Sequence, residues 1–463
     1  MTRARLHCLL LSGISFWLAL AIAPPAHADT RPAQSQLNTP IEHFIVLMQQ
    51  NHTFDNYFGT YPGADGIPAD TCIPMNLAKP GKNSCVKPYH IGEKQTDDLN
   101  HSNSTFLRQY NDGRMDGFVD ALNRRNQDGT IALGYYDDRD LPYYWNLADE
   151  YVLFDRYFSS ARGGSVWNRM YWIAGVPGNT ENRVPEKGFG NIPTIFDRLQ
   201  ERGISWKFYV HNYKPGLNYR TSGFLTPLAP QVQWLPLLAM DRFIDNPELS
   251  SRIVDMDEYF VDLRNGTLPA VSYMLTLGAT EHPLTSLELG QQTVRHLLQA
   301  LMQSSAWPSS AFLLTYDDWG GWYDHVPPPR VDKYGYGFRV PALLVSPYAK
   351  RAHIDSTVLD HTASLRFIGY NWDIAPLAAR DAGANTFLGA FDFSQPAREA
   401  RFISIERGVQ PLRAEPRRIV IFGMYGAGLA LAGLIICCAA LGVDVGRRRA
   451  TLLDDRKPEE APS

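Results

Sequence analysis

Two groupings in this chain have the residue types and spacing to do chemistry. The first is the stretch Ser159-Ser-Ala-Arg-Gly-Gly-Ser-Val-Trp-Asn-Arg-Met-Tyr-Trp-Ile-Ala-Gly175. Gly163 and Gly164 leave the backbone without a Cβ to obstruct it, Ser165 follows at once, and Trp167 to Ala174 reads as a helix. A hydroxyl on a glycine turn ahead of a helix is placed to attack phosphorus, because the first amides and the helix dipole attract anions. The same pattern also describes a plain serine N-cap, and this stretch taken alone favours that simpler reading.

The second grouping is Tyr316-Asp-Asp-Trp-Gly-Gly-Trp-Tyr-Asp-His-Val326, at the end of an apolar run from Ala311 to Thr315 that reads as a strand. Adjacent carboxylates repel, so Asp317-Asp318 at a strand end is costly without a cation. Ile41 to Met48 is another apolar strand, and it leads into Gln50 and Asn51. Oxygen ligands from Asp317, Asp318 and Asn51 suit a hard or borderline divalent ion; a solvated acidic turn is the alternative. A third strand, Ala270 to Leu275, leads to Glu281 and His282. Ligands of open α/β sheets gather at such strand ends.

These stretches together resemble a known family. Gln50-Asn-His-Thr-Phe-Asp-Asn-Tyr-Phe-Gly59 is similar to the Glu-Asn-Arg-Ser-Phe-Asp-x-Tyr-Phe-Gly opening of the bacterial phosphoesterase family. That family includes phosphatidylcholine-type phospholipases C and related acid phosphatases, within the alkaline-phosphatase-like superfamily. The resemblance continues through Asn100-His101, Gly113-Arg-Met-Asp-Gly-Phe118, Phe158 to Arg169, Glu281-His-Pro283, Thr315 to Val326, Arg339-Val-Pro341 and Asp360-His-Thr362. It implies that Ser165 is the nucleophile, that Asn51, Asp317 and Asp318 hold one divalent metal ion of unknown identity, and that His101, His282 and His361 are active-site histidines. Gln50 and Asp318 stand where the family has Glu, His52 where it has Arg, and Ser-Val-Trp-Asn-Arg where it usually has Thr-x-Pro-Asn-Arg. Gln50 still offers a carbonyl oxygen to the metal but removes a charge. His52 and Asn168 are expected near phosphate. His325 is expected to be structural, paired with Asp324.

The elements that must position these residues follow a βαβ rhythm. Helices are expected over Leu141 to Tyr151, Thr194 to Arg202 with Thr194 near its cap, Leu287 to Ala306, and from an opening at Leu359-Asp-His-Thr362 to about Trp372; strands are expected over Ile204 to Val210 and Val340 to Val345. The fold class is α/β, a three-layer α/β/α sandwich around a mostly parallel sheet. The 463 residues carry a net charge of −4, with Lys+Arg 44 against Asp+Glu 48, and show no basic block that tracks nucleic acid. Residues 1–28 read as a signal peptide with an Ala26-His-Ala28 cleavage site. The catalytic domain is expected over 41–390, then a linker over 391–418, a transmembrane helix over 419–443, and a cytoplasmic tail over 444–463 behind Arg447, Arg448 and Arg449. Outside the leader and the apolar segment only Cys72 and Cys85 remain. They suggest one disulfide in an exported domain, or two free thiols.

The expected function is a membrane-anchored, extracytoplasmic phosphoester hydrolase of bacterial type. It uses Ser165 with the metal, and His282 or His361 protonates the leaving alcohol. Phosphomonoesterase activity, transfer of a head group to an envelope acceptor, and a degenerate non-catalytic binding protein are the alternatives. The partners are a phosphoester, with a phospholipid head group favoured, and the membrane. Tyr213, Tyr219, Trp234 and Trp322 are available for a cage around a choline-like cation.

Overall fold

The computed structural model describes residues 37–79, 84–92, 95–223, 229–408 and 412–413. Its centre is an eight-stranded sheet: β1 (His43–Gln49), β2 (Val152–Phe154), β3 (Trp206–Val210), β4 (Ile253–Asp255), β5 (Val271–Leu275), β6 (Ser310–Tyr316), β7 (Ala342–Val345) and β8 (His353–Asp355). Their order across the sheet is β8-β2-β7-β6-β1-β5-β3-β4. All neighbours run parallel except at β7, which is antiparallel to both β6 and β2. The sheet is therefore mixed, with a parallel majority.

Every residue of β5 and β6, and all of β1 beyond His43, is buried. Strands buried on both faces need helices on both sides. These are α1 (Pro142–Glu150), α2 (Ser165–Ala174), α3 (Ile195–Glu201), α4 (Ala229–Trp234), α5 (Leu287–Met302) and α6 (Thr362–Trp372). On α5 the apolar stripe of Val294, Leu297, Leu298, Leu301 and Met302 turns inward. At the start of α3 the Thr194 amide donates to Asp197 at 2.7 Å, the reciprocal bond of a capping box. A second apolar cluster, with Phe106, Phe118, Trp319, Trp322 and Phe338, lies under the loops that follow the strands.

The register sets the site. Gln49 of β1 stands opposite Tyr316 of β6, so Gln50-Asn51 and Asp317-Asp318 leave adjacent strands side by side. The Gln50 amide then donates to the Thr280 carbonyl at 3.0 Å, which brings the segment after β5 to the same edge.

Two expectations about the remainder of the chain change. Among the described residues no helix is long and apolar enough to cross a membrane, which corrects the transmembrane helix in the expected fold; 419–443 itself lies outside the described residues, as do 1–28 and 444–463. The stretch read as a linker from 391 is packed on the body at its start. Phe391, Ala400 and Ile403 are buried, and the Trp307 indole donates to the Arg398 carbonyl at 3.0 Å. Cys72 and Cys85 are joined as a disulfide with Cα atoms 5.4 Å apart.

Candidate active site

Ser165 is the first residue of α2, not its cap. Gly164 is the N-cap, and the Ser165 hydroxyl donates instead to Asp318 Oδ2 at 3.1 Å. The simpler reading of this serine is thereby removed. A Cβ on Gly164 would stand 2.6 Å from Asn182 Nδ2, so a larger residue there would displace that amide. Asn168 holds the same turn from inside: its amide donates to the carbonyls of Gly163 at 2.8 Å and Gly164 at 3.2 Å, and its oxygen accepts from Ala161 at 2.9 Å. It is fully buried. Asn168 thus shapes the serine turn and does not face phosphate as expected.

The aspartates divide the work. Asp317 Oδ1 accepts from the amides of Asn51 at 3.3 Å and Asp318 at 2.8 Å. Its Oδ2 is 3.1 Å from Arg169 Nε and 3.0 Å from Arg169 Nη2, and neither side chain has any exposed surface. Both oxygens of Asp317 are engaged within the protein. Asp318 keeps Oδ2 for the serine, and its Oδ1 accepts from Gly320 at 2.9 Å. Burial pushes the Asp318 carboxyl up to about 7, against the pull of His101, and Asp317 adds to the rise.

Among the described residues, several buried polar atoms of the segments that carry the site have no hydrogen-bond partner, including both ends of the Gln50 amide, Asn51 Oδ1 and His361 Nδ1. Orphaned buried acceptors are rare in a native fold. Asn51 has a left-handed backbone, φ 64°, and a Cβ on Gly320 would meet its carbonyl at 2.2 Å, so these two loops touch only because residue 320 is glycine.

The histidines part company. The His101 Nδ1–H donates to the Leu99 carbonyl at 2.7 Å, and Nε2 faces Asn51 Nδ2 at 3.4 Å. Burial opposes its protonation, but Asp318 and the Leu99 carbonyl outweigh burial and hold His101 above the usual histidine range. The His282 Nδ1–H donates to the Pro283 carbonyl at 2.8 Å, while Nε2 lies 3.9 Å from Asp98. Asp98 also stands 3.8 Å from His101, so one half-exposed carboxylate lies between both imidazoles. His361 is fully buried and directs Nε2–H to the Asp317 carbonyl at 2.9 Å; burial lowers its pKa. It holds the aspartate loop and is not free to protonate a leaving group.

His52 does not stand near phosphate. Its ring is buried, with Asn56 Oδ1 at 2.7 Å and the Glu281 carbonyl at 2.9 Å from its two nitrogens. Two acceptors favour the charged ring, but burial disfavours it more and pushes the pKa down to about 4. His325 is structural as expected, although its partner is Asp55 at 2.7 Å, because Asp324 is taken by Arg339 at 3.0 Å. Of the aromatics, Trp322 is buried and stacked on His52, the Tyr219 hydroxyl donates to Asp241, and Trp234 lies tilted beside His282 with ring centroids 6.0 Å apart.

Sequence reasoning missed Arg169, Asp98 and the anchoring role of Glu281. Arg169 lies four residues after Ser165 on a largely apolar helix, and a cation in such a place signals a buried partner. Glu281 has φ 62° and accepts from the hydroxyls of Tyr57 at 2.8 Å, Tyr316 at 2.6 Å and Tyr144. Burial raises its pKa, and the three hydroxyls hold that rise back. The next residue is His282, so this peg sets where that imidazole stands.

Comparison with known proteins shows the family of the chain. The model of the Phosphoesterase family matches residues 41–375. The chain belongs to that family. This phosphoesterase is 28% identical over 417 residues to phospholipase C B of Mycobacterium tuberculosis, covering 77% of this chain and 79% of that protein. It is 27% identical over 463 residues to a non-hemolytic phospholipase C of Burkholderia pseudomallei, covering 84% and 64%. A solved structure from Vibrio parahaemolyticus, described as a protein in the alkaline phosphatase superfamily, matches with TM-score 0.37 at 12% identity over 81% of this chain and 77% of that one. This phosphoesterase is accordingly a hydrolase of phosphoric ester bonds.

Two substitutions test the framework. Arg169→Met leaves Asp317 buried and unpaired, and is expected to lower unfolding free energy by about 3–5 kcal/mol, with partial recovery in Arg169→Met/Asp317→Asn; urea titration measures both. Gly290 packs on the peg, where a Cβ would lie 2.1 Å from Glu281 Cγ. Alanine gains about 1 kcal/mol of helix propensity, but overpacking a fixed side chain costs about 1–3 kcal/mol. Gly290→Ala is therefore expected to lower the urea midpoint, and a raised midpoint would contradict the peg.

Proposed function

We propose that this phosphoesterase cleaves a phosphodiester of the phospholipid type, with Ser165 as nucleophile. The observation that carries the reading is the Ser165 hydroxyl on the first residue of α2, bonded to Asp318 at 3.1 Å. The hydroxyl directs its proton at a carboxylate oxygen and its remaining lone pairs outward, the arrangement a nucleophile needs. The turn amides at the start of α2 offer positive potential to the equatorial phosphate oxygens. His101, with Nε2 3.4 Å from Asn51 Nδ2, and His282, which shares Asp98 with it, are the groups we assign to give a proton to the leaving alcohol. The names of the two phospholipase C relatives support a diester over a monoester.

The orphaned Asn51 Oδ1 and Gln50 Oε1 and the Asp318 carboxylate form an oxygen set that fits a divalent cation. Asp318, Asn51 and Gln50 would hold it. Asp317 fits less well, because Arg169 and two amides already occupy its oxygens. When bound, such an ion supplies positive charge to the hydroxyl and to phosphate oxygens. Arg169 neutralises Asp317 in the meantime, so the site folds without needing the ion. We infer export from the signal-like N-terminus and from the Cys72–Cys85 disulfide.

Ser165→Ala is expected to abolish turnover of p-nitrophenyl phosphorylcholine with an unchanged thermal midpoint; retained turnover removes Ser165 from the mechanism. Gln50→Glu adds a negative charge among the orphaned acceptors and is expected to tighten binding of Zn²⁺, Mn²⁺ or Ca²⁺ at least tenfold by calorimetry. Equal affinity in both proteins places the ion elsewhere.

A further inference from the structure

Asn182 reaches the serine turn from outside α2. Its Oδ1 accepts from the Trp167 amide at 3.0 Å. Trp167 is the third residue of α2, and the N-cap Gly164 has no side chain to serve that amide. Asn182 supplies the missing cap from another loop. The bond also fixes which end of the carboxamide is which, because a backbone N–H needs the oxygen. The NH2 group is the end left over. Among the described residues it has no hydrogen-bond acceptor.

That NH2 group lies against the nucleophile's turn. A Cβ on Gly164 would stand 2.6 Å from Asn182 Nδ2 and 3.3 Å from His101 Cδ2, so carboxamide and imidazole border the same glycine. Gly164 has φ −76° and ψ −161°, extended backbone that any residue adopts. Glycine therefore provides room here, not conformation, and Nδ2 fills that room. Gly164 is buried, whereas Ser165, His101 and Asn182 each keep part of their surface exposed. The Asn182 loop is also held in place. The Trp167 indole donates to Asn179 Oδ1 at 3.3 Å, and Asn179 Nδ2 donates to the Arg183 carbonyl at 2.8 Å. Asn182 thus takes one amide of α2 and presents its own N–H groups beside Ser165.

We propose that Asn182 is a phosphate-binding residue, its NH2 group donating to a non-bridging phosphoryl oxygen as Ser165 attacks. Charge builds on those oxygens in the transition state, and a donor already held in position stabilises it without reorganising. One carboxamide then does two things: its oxygen caps the helix that begins with the nucleophile, and its nitrogen contacts the group under attack. The proposal rests on Ser165 as nucleophile and does not depend on which alcohol leaves.

The test uses the full-length protein with Asn182→Asp and Asn182→Ala. Aspartate keeps the capping oxygen and loses the NH2 group; alanine loses both and adds no charge. Asn182→Asp is expected to keep the thermal midpoint, and Asn182→Ala to lower it by about 2 °C. Both are expected to lower kcat/KM on p-nitrophenyl phosphorylcholine at least roughly tenfold, mainly through kcat. Both should also weaken calorimetric binding of orthovanadate, which mimics five-coordinate phosphorus, by a similar factor. Wild-type kcat/KM in Asn182→Asp would reduce Asn182 to a cap, and wild-type kcat/KM in Asn182→Ala would trace any aspartate loss to charge; either overturns the assignment. So does unchanged orthovanadate affinity in Asn182→Ala. A wild-type protein inert on the diester, whose orthovanadate binding still weakens in Asn182→Ala, overturns the phosphodiesterase reading and keeps the assignment. A wild-type protein that neither turns over the diester nor binds orthovanadate overturns both.

Discussion

The buried pair of Arg169 and Asp317 is the interaction on which the site depends. Two adjacent carboxylates, both without solvent, cannot coexist as anions unless a cation is close. Arg169 supplies it from the same helix that begins with Ser165. The guanidinium also donates to the Trp234 carbonyl at 3.2 Å. One side chain therefore ties together the serine helix, the aspartate loop and the segment beside His282. Because Asp317 is neutralised by Arg169, Asp318 is left as the carboxylate that faces the serine.

Around that pair, fixed geometry comes from left-handed backbone turns and from buried, hydrogen-bonded side chains. Asn51 and Gly320 touch through left-handed turns, and the serine turn is held by Asn168 from within. Glu281 does the same for His282, with three tyrosine hydroxyls on one carboxylate. Strained or buried polar positions at the ends of strands are where a sheet converts its regularity into a site. Their stability comes from the strands behind them, which are buried throughout.

Much of this was legible in the residues. Apolar runs marked β1, β3, β5, β6 and β7, and the periodic stripe marked α5. The ordered motifs from Gln50 to Thr362 pointed to the residues that converge. Strand direction was not legible, since a run such as Ala342–Val345 reads the same either way. Nor was the burial of His52: its place in the motif suggested a phosphate contact, whereas the Asn56 and Glu281 acceptors turn the ring inward. The contacts of Asn168 with the serine turn and of His361 with the Asp317 carbonyl were not legible, because sequence spacing cannot say which face of a loop looks outward. The role of Arg169 was not legible, because its partner lies 148 residues away.

The pairing of β1 with β6 also constrains how the molecule is made. The first strand of the sheet waits for residues more than 260 positions downstream before both its edges are covered. Contacts of such sequence separation slow folding and leave apolar edges open meanwhile. A chain released or cleaved before Ser310 would present β1 with one edge bare and could not assemble its central layer. Such a protein benefits from having its whole length available before the central layer forms.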